Sequence, residues 1–106
     1  MNKEVKARWL AALRSGEFEQ GRGVLEKNGK FCCLGVLCKV EGLKRRVSKL
    51  GVVEYSFDGE IWVYVTTPNS FEDKIELPLL ITDALASAND RGDSFAWIAD
   101  WIEANL

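Results

Sequence analysis

Three cysteines lie within one seven-residue window, Cys32–Cys38, and are the residues that most strongly suggest chemistry. Thiolates bind zinc or carry redox reactions when their spacing brings the sulfurs together. The chain has no histidine, no second cysteine pair and no Cys-x-x-Cys sequence. A structural zinc site needs four ligands, and Cys32 and Cys33 would point to opposite sides of a strand. We therefore expect no metal and no cofactor, and interpret the three thiols as small, buried hydrophobic side chains.

No other part of the sequence supplies a catalytic constellation. The absence of histidine removes the commonest general base, and a cysteine nucleophile would have no evident base beside it. Paired carboxylates such as Glu72-Asp73, or Asp90 with Asp93, are explained by loops and helix caps. The sequence therefore predicts a protein that is not an enzyme.

One short motif is compatible with an anion-binding site. Gly21-Arg22-Gly23 is a Gly-x-Gly that lacks the Lys-Ser/Thr of a P-loop. Either its backbone N–H groups cradle an anion together with Arg14 and Arg22, or it is a tight loop leading into a hairpin. The candidate ligand-binding residues lie at helix ends and in loops. They are Arg14, Gln20, Gly21, Arg22, Gly23, Asn89 and Asp90.

The charge is unevenly divided along the chain. Residues 1–49 hold 12 Lys and Arg against 5 Asp and Glu, whereas residues 50–106 hold 2 against 11. Either these charges intermix on the folded surface, or a basic face meets an anion. The basic run Lys44–Lys49 indicates either phosphate contacts or a solvated linker. The overall net charge of −2 disfavours nucleic acid as a partner.

A chain of 106 residues fits one domain, residues 1–106. It contains no apolar run of 18 residues, so we expect no membrane contact. Met1–Lys6 is not followed by the apolar stretch of a signal peptide, and an odd number of cysteines forms no closed disulfide framework. These features predict a protein of the reducing cytoplasm.

Apolar spacing and capping residues predict about four helices. The first helix begins at Asn2 or Lys3 and ends at Ser15, with Gly16 as its stop signal. Pro78 suits the start of the third helix, and Asp93 or Ser94 caps the last. The other bounds are Leu34 to about Leu43 for the second helix, about Leu79 to Asn89 for the third, and 94–105 for the last.

Two turn dipeptides predict β-hairpins, because Asn-Gly and Asp-Gly suit a two-residue turn. Asn28-Gly29 separates two short runs, and Asp58-Gly59 separates Val52–Phe57 from Glu60–Val65. In the second hairpin Phe57 would face Glu60, Tyr55 would face Trp62, and Val53 would face Tyr64. The sequence thus predicts an α+β fold, with a small antiparallel sheet from two β-hairpins packed against a layer of about four helices.

The last helix carries two apolar stripes on roughly opposite sides. Trp97, Trp101 and Ala104 form the second stripe. Either this helix packs between two layers of its own domain, or Trp97 and Trp101 form a surface for a partner or a second copy, since tryptophan is enriched at interfaces. The first stripe consists of Phe95, Ile98, Ala99, Ile102 and Leu106.

Three sequence blocks occur in a distinctive order. They are Trp9-x-x-Ala12-Leu13-Arg14-Ser15-Gly16-x-Phe18-x-Gln20-Gly21-x-Gly23-x-Leu25, Cys32-Cys33-Leu34-Gly35-Val36-Leu37-Cys38 and Asn89-Asp90-x-Gly92-x-Ser94-Phe95-x-x-Ile98-Ala99. Together they resemble a family of small hypothetical proteins encoded by bacteriophages and prophages. The resemblance covers the first forty residues and the last thirty, and brings no catalytic residues with it. It implies a phage accessory protein that acts in the host bacterial cytoplasm.

Two hypotheses about function follow. The first is a phage-encoded, non-enzymatic accessory protein that binds a host macromolecule through Trp97 and Trp101, as an inhibitor of a host or anti-phage defence protein. The alternative is a protein that binds or sequesters a small ligand, a nucleotide or another anion.

Overall fold

The computed structural model describes residues 1–66, 71 and 74–106 and has an α+β fold. Within these residues the helices are α1 (Lys3–Arg14), α2 (Cys33–Val40), α3 (Leu79–Asp90) and α4 (Phe95–Asn105), and the strands are β1 (Glu19–Gln20), β2 (Glu26–Lys27), β3 (Lys30–Phe31), β4 (Lys44–Val47) and β5 (Val52–Ser56). The five strands form a mixed sheet of strand order β1-β3-β2-β5-β4. The pair β1–β3 is parallel and the other pairs are antiparallel. The α+β class is therefore confirmed.

Helix α1 begins and ends where the sequence predicts. The Asn2 side chain accepts hydrogen bonds from the amides of Glu4 and Val5, at 2.8 and 3.1 Å, which satisfies two otherwise unpaired N–H groups of the first turn. Gly16 has φ +77° and follows the C-terminal cap, so it stops the helix in a conformation that suits glycine. The buried Trp9 donates from Nε1 to the Cys33 carbonyl at 2.9 Å, which joins α1 to α2.

Helix α2 contains most of the cysteine window, and it is buried from Cys33 to Cys38. The Cys32 sulfur caps this helix by accepting from the amide of Gly35 at 3.3 Å. The helix ends at Val40, earlier than the predicted Leu43, because Gly42 takes a positive φ of 68°. The three cysteines are thus core residues, as predicted.

The first predicted hairpin is confirmed. Strands β2 and β3 pair antiparallel, with Glu26 opposite Phe31 and Lys27 opposite Lys30. Asn28 and Gly29 have φ of 52° and 80°, the positive values that a type I′ turn requires at both central residues. Because side chains alternate along a strand, Glu26 and Phe31 face the core and the two lysines face outward.

The second hairpin forms between other residues than predicted. Strand β5 pairs along its length with β4, which precedes it, and the predicted partner Glu60–Val65 contributes only a bridge from Val63 to Tyr55. The expected pairing of Tyr55 with Trp62 is therefore wrong by one residue. The solvated-linker interpretation of Lys44–Lys49 is also wrong, since this run supplies the edge strand β4.

Asp58 accounts for the failure of the predicted turn. Its carboxylate accepts hydrogen bonds from the amides of Glu60 and Ile61, both at 2.9 Å, and Ser56 accepts from Gly59 at 2.7 Å. These local bonds hold residues 58–61 in a turn of their own, so the chain leaves the sheet after Ser56.

Helices α3 and α4 lie within a residue or two of their predicted bounds. The Ser94 hydroxyl caps α4 by accepting from the amide of Trp97 at 3.1 Å. α4 packs on α1 and α3, and α2 packs on α1 and α3. The first predicted stripe of α4 is buried from Phe95 to Ile102. In the described part of the chain, no helix combines the length and the apolar character needed to cross a membrane.

Candidate functional site

Asn89 is fully buried at the end of α3 and joins three segments of the chain. Its Oδ1 accepts from the Cys33 amide at 3.1 Å and from the Gln20 side chain at 3.0 Å. Its Nδ2 donates to the Gly21 carbonyl at 2.8 Å. The side chain thus uses both its acceptor and its donor within the protein, as a buried amide must to avoid a desolvation penalty.

The residues around Asn89 also form their hydrogen bonds with other groups of the protein. Gln20 also donates to the Asp93 carbonyl at 2.7 Å, and the Asp90 carboxylate accepts from the Gly23 amide at 3.0 Å. The Gly21 amide donates to Phe31 at 2.7 Å. The structure therefore brings five predicted site residues together, but neither glycine amide is free to cradle an anion. Those five are Gln20, Gly21, Gly23, Asn89 and Asp90.

Arg14 lies elsewhere and binds α4. Its guanidinium contacts Glu103 at 2.9 Å and Asp100 at 2.8 Å. The hydrogen bonds that Arg14 donates to Glu103 and Asp100 raise the pKa of Arg14. This contact joins the basic first half of the chain to the acidic second half, so here the two charge blocks intermix.

Arg22 lines a separate feature, an open cavity of about 250 Å³ beside the β2–β3 hairpin. Gly21 and Arg22 were predicted from the sequence as site residues, whereas Lys27 and Lys30 were not. The Asn28-Gly29 turn could have indicated them, because the residues that flank a two-residue turn are cross-strand partners. The lining contains three cations and no carboxylate; it consists of Gly21, Arg22, Val24, Lys27, Asn28 and Lys30.

Trp97 and Trp101 line a groove between α3 and α4, with a volume of about 150 Å³. Trp97 is 47% exposed, so this side of α4 is not enclosed by a second layer of the domain. The Arg91 guanidinium lies 5.9 Å from the centre of the Trp97 ring. The rest of the lining is small or apolar and consists of Ala84, Leu85, Ser87 and Ala88. We call this feature the tryptophan groove.

A half-buried ion pair links β2 to β4, with the Arg45 side chain 34% exposed. Glu26 is 2% exposed and accepts from Arg45 Nε at 3.1 Å, from Arg45 Nη2 at 2.6 Å and from the Tyr55 hydroxyl. Burial raises the pKa of Glu26, but the bonds from Arg45 and Tyr55 outweigh it and hold that pKa below its usual range. Burial, then the bond to Glu26, raises the pKa of Tyr55. A charged carboxylate beside a protonated phenol suits a structural role, because neither group titrates near neutral pH.

The three thiols are buried in surroundings that make them unreactive. Burial raises the pKa of Cys32 to about 11 and raises the pKa values of Cys33 and Cys38 as well. The reactive form of cysteine is the thiolate, so these side chains are protonated and inert at neutral pH. Among residues 1–66, 71 and 74–106, no three potential metal ligands of the His, Cys, Asp and Glu types converge.

The fold and these surfaces define a small α+β domain. The polar cluster around Asn89 has a structural role. The described surface carries a basic cavity and the tryptophan groove. The chain belongs to a family described as a domain of unknown function, DUF8296, whose family model matches residues 1–106. No curated protein and no solved structure matches the chain.

Proposed function

We propose that this domain is a non-enzymatic accessory protein of phage origin that binds a bacterial host protein through the tryptophan groove. The half-exposed Trp97 beside an apolar floor carries the proposal. Burying an indole ring contributes a large hydrophobic gain, and tryptophan is enriched among the residues that dominate binding energies.

The exposed side of α3 extends the groove toward the start of the helix. Leu80, Ala84 and Ser87 repeat at i, i+4 and i+7 along this side, a distance of about 10 Å, and Arg91 continues the series just after the helix ends. Leu80 lies one turn before the groove and is 79% exposed. An exposed leucine followed by small side chains at this spacing suits the apolar face of an amphipathic helix of the partner.

Charge indicates which partner fits. Helices α3 and α4 contain four carboxylates and no Lys or Arg within Leu79–Asp90 and Phe95–Asn105. Arg91 follows α3, and its guanidinium is already bound by Asp93 at 2.8 Å. Asp100 and Glu103 are already bound by Arg14, and Asp90 accepts from the Gly23 amide. Among the described residues, Asp83 is therefore the carboxylate of these helices that is left for a partner, and a partner with a basic residue beside an apolar anchor complements it.

The resemblance to phage-encoded proteins supports a host protein as this partner, with a component of an anti-phage defence system as one such target. It also supports the host cytoplasm as the place of action. Binding to the groove would inhibit the target if the bound helix belongs to its functional surface.

Affinity capture tests the proposal with a matched pair of variants. The wild type, Trp97→Ala and Trp62→Ala would be used as bait in bacterial lysate, and captured proteins identified by mass spectrometry and then titrated in purified form. Trp62 is the control because it lies beside the sheet under Arg46, whose guanidinium is 4.3 Å from its ring centre.

We expect one protein to bind the wild type and Trp62→Ala, with affinity falling as salt increases. A truncated hot-spot residue lowers affinity by about 2 kcal/mol or more, so Trp97→Ala should bind at least about thirtyfold more weakly. Equal affinity of Trp97→Ala for the purified protein would contradict the proposal, as would a stable homodimer that buries Trp97.

A further inference from the structure

Lys27 and Lys30 form a cross-strand pair of like charges. They flank the turn Asn28-Gly29 and lie directly opposite each other in the β2–β3 ladder. Residues paired in this way have neighbouring Cβ atoms on the same face of the sheet, and like charges there destabilise the hairpin. The pair therefore lowers the stability of this hairpin.

The nearby carboxylates leave this charge poorly neutralised. Glu26 faces the core and binds Arg45. Glu19 contacts Lys30 at 3.7 Å, at the long end of an ion pair, and both side chains are exposed. Within the part of the chain that the structure describes, Lys27 and Arg22 have no ion-pair partner.

The loop before β2 makes this charged face concave. Gly21 and Val24 line the cavity together with the three cations, and a Cβ at Gly21 would lie 2.9 Å from the Lys30 Cβ. Glycine at this position thus lets the loop approach the hairpin closely. The volume of about 250 Å³ lies below that of pockets that enclose a drug-sized molecule, but it accommodates a phosphate or pyrophosphate group.

We infer that Arg22, Lys27 and Lys30 form a binding site for the pyrophosphate group of a small phosphorylated molecule. Lysine ammonium groups act as compact point charges for phosphate, and Arg22, which lines the same cavity, adds a third positive charge. A dianionic or trianionic group between the lysines would convert their repulsion into attraction. The open side of the cavity leaves room for the rest of the ligand, such as a nucleoside. The site does not involve the tryptophan groove, so it stands apart from the proposed protein binding.

Ligand-induced stabilisation of the full chain tests this site. The melting temperature would be measured with pyrophosphate, ADP and AMP at millimolar concentration, against sodium chloride of equal ionic strength. Ligands that bind the native state raise the melting temperature. We expect pyrophosphate and ADP to raise it by several degrees and AMP to raise it less. Equal effects of pyrophosphate and ADP would indicate a site for the phosphates alone, and a larger effect of ADP would indicate that the nucleoside also contacts the protein.

The double variant Lys27→Gln/Lys30→Gln should lose the shift. Without ligand this variant should melt at or above the wild-type temperature, because the repulsion between the lysines is gone. A missing shift in a variant of undiminished stability would then report lost binding and not lost folding. Lys44→Gln/Lys49→Gln removes the same charge from the β4 edge and should keep the shift. Arg22→Gln, at an exposed position, should reduce it. No shift in the wild type, or an equal shift in Lys27→Gln/Lys30→Gln, would overturn the inference.

Discussion

The backbone of Gly35 lies against the carbonyl oxygen of Leu25, so closely that a Cβ at position 35 would be 1.8 Å from that oxygen. The same carbonyl accepts a hydrogen bond from the Cys32 amide at 3.0 Å. The first turn of α2 therefore packs directly on the chain that enters β2. This contact explains the glycine within the cysteine window, and gives that window a role in packing.

Substitution of Gly35 by alanine should destabilise the domain strongly. The added methyl would meet backbone atoms, which cannot rotate away, so α2 or β2 has to move. Overpacking in a core typically costs about 1–3 kcal/mol, and a clash with backbone lies at the upper end or beyond. Urea unfolding would measure this loss.

Gly21→Ala is the matched control for that experiment. Its nearest neighbour is the Lys30 Cβ at 2.9 Å, on an exposed hairpin that can shift. We expect a smaller loss of stability than for Gly35→Ala. Equal losses for the two variants would show that the Leu25 contact is not the reason for a glycine at position 35.

Removing the Asn89 side chain should also destabilise the fold. Asn89→Ala leaves the buried Cys33 amide without its acceptor and frees the loop at Gly21 from α3. An unsatisfied buried polar group costs about 1–3 kcal/mol. Asn89→Asp should be destabilising too, because a carboxylate cannot donate to the Gly21 carbonyl. Thermal and urea unfolding would measure both variants.

Asn105→Ala provides the comparison for Asn89. Asn105 also donates from its Nδ2 to a carbonyl, that of Trp101 at 2.8 Å, but it is exposed at the end of α4. Surface substitutions of this kind change stability by about 0.5 kcal/mol or less. A loss for Asn105→Ala as large as that for Asn89→Ala would contradict the role assigned to burial.

The elements that the sequence predicted correctly are those whose signals are local. Asn2 and Ser94 cap helices through amides two or three residues away, and Asn28-Gly29 closes a hairpin between its own neighbours. Such interactions need no knowledge of the rest of the fold, so residue types and spacing are enough to predict them.

Strand β4 and the polar cluster depend on distant partners, which the sequence does not reveal. Arg45 lies in a basic run that is typical of a linker, and its buried partner Glu26 is 19 residues away. Asn89 and Asp90 were identified as polar residues near a helix end, but their contacts with Gly21 and Gly23 span 68 and 67 residues. Whether such groups face a ligand or each other is decided by tertiary packing.

The Glu26–Arg45 pair predicts a specific loss of stability in acid. The pKa of Glu26 is held below its usual range in the folded protein, so its contribution is present above the unfolded value of about 4.3 and is lost as pH falls through the folded pKa. Glu26→Gln should lower stability at pH 7 by about 1–3 kcal/mol, since Arg45 and Tyr55 lose a charged acceptor.

The difference between wild type and Glu26→Gln should shrink as the pH is lowered from about 4. Urea unfolding between pH 7 and pH 3 would measure it. Glu54→Gln removes an exposed ion pair with Arg46 and serves as the control, with a change of about 0.5 kcal/mol. A difference between wild type and Glu26→Gln that persists unchanged to pH 3 would contradict the direction of the Glu26 pKa.

Thiol reactivity measures directly how well the native fold excludes reagents from the three cysteines. Burial raises the pKa of Cys32 to about 11, and the Cys33 and Cys38 thiols are buried as well. With little thiolate and no access for reagent, the native protein should react with a disulfide reagent at pH 8 only as fast as it opens. In denaturant all three thiols should react rapidly.

The native Gly35→Ala variant, in which the same helix is disturbed, should react faster than Gly21→Ala, in proportion to its greater loss of stability. Rapid labelling of any thiol in the native wild type would show that the packing of α2 on β2 does not exclude the reagent. The cysteines would then be candidates for a chemical role.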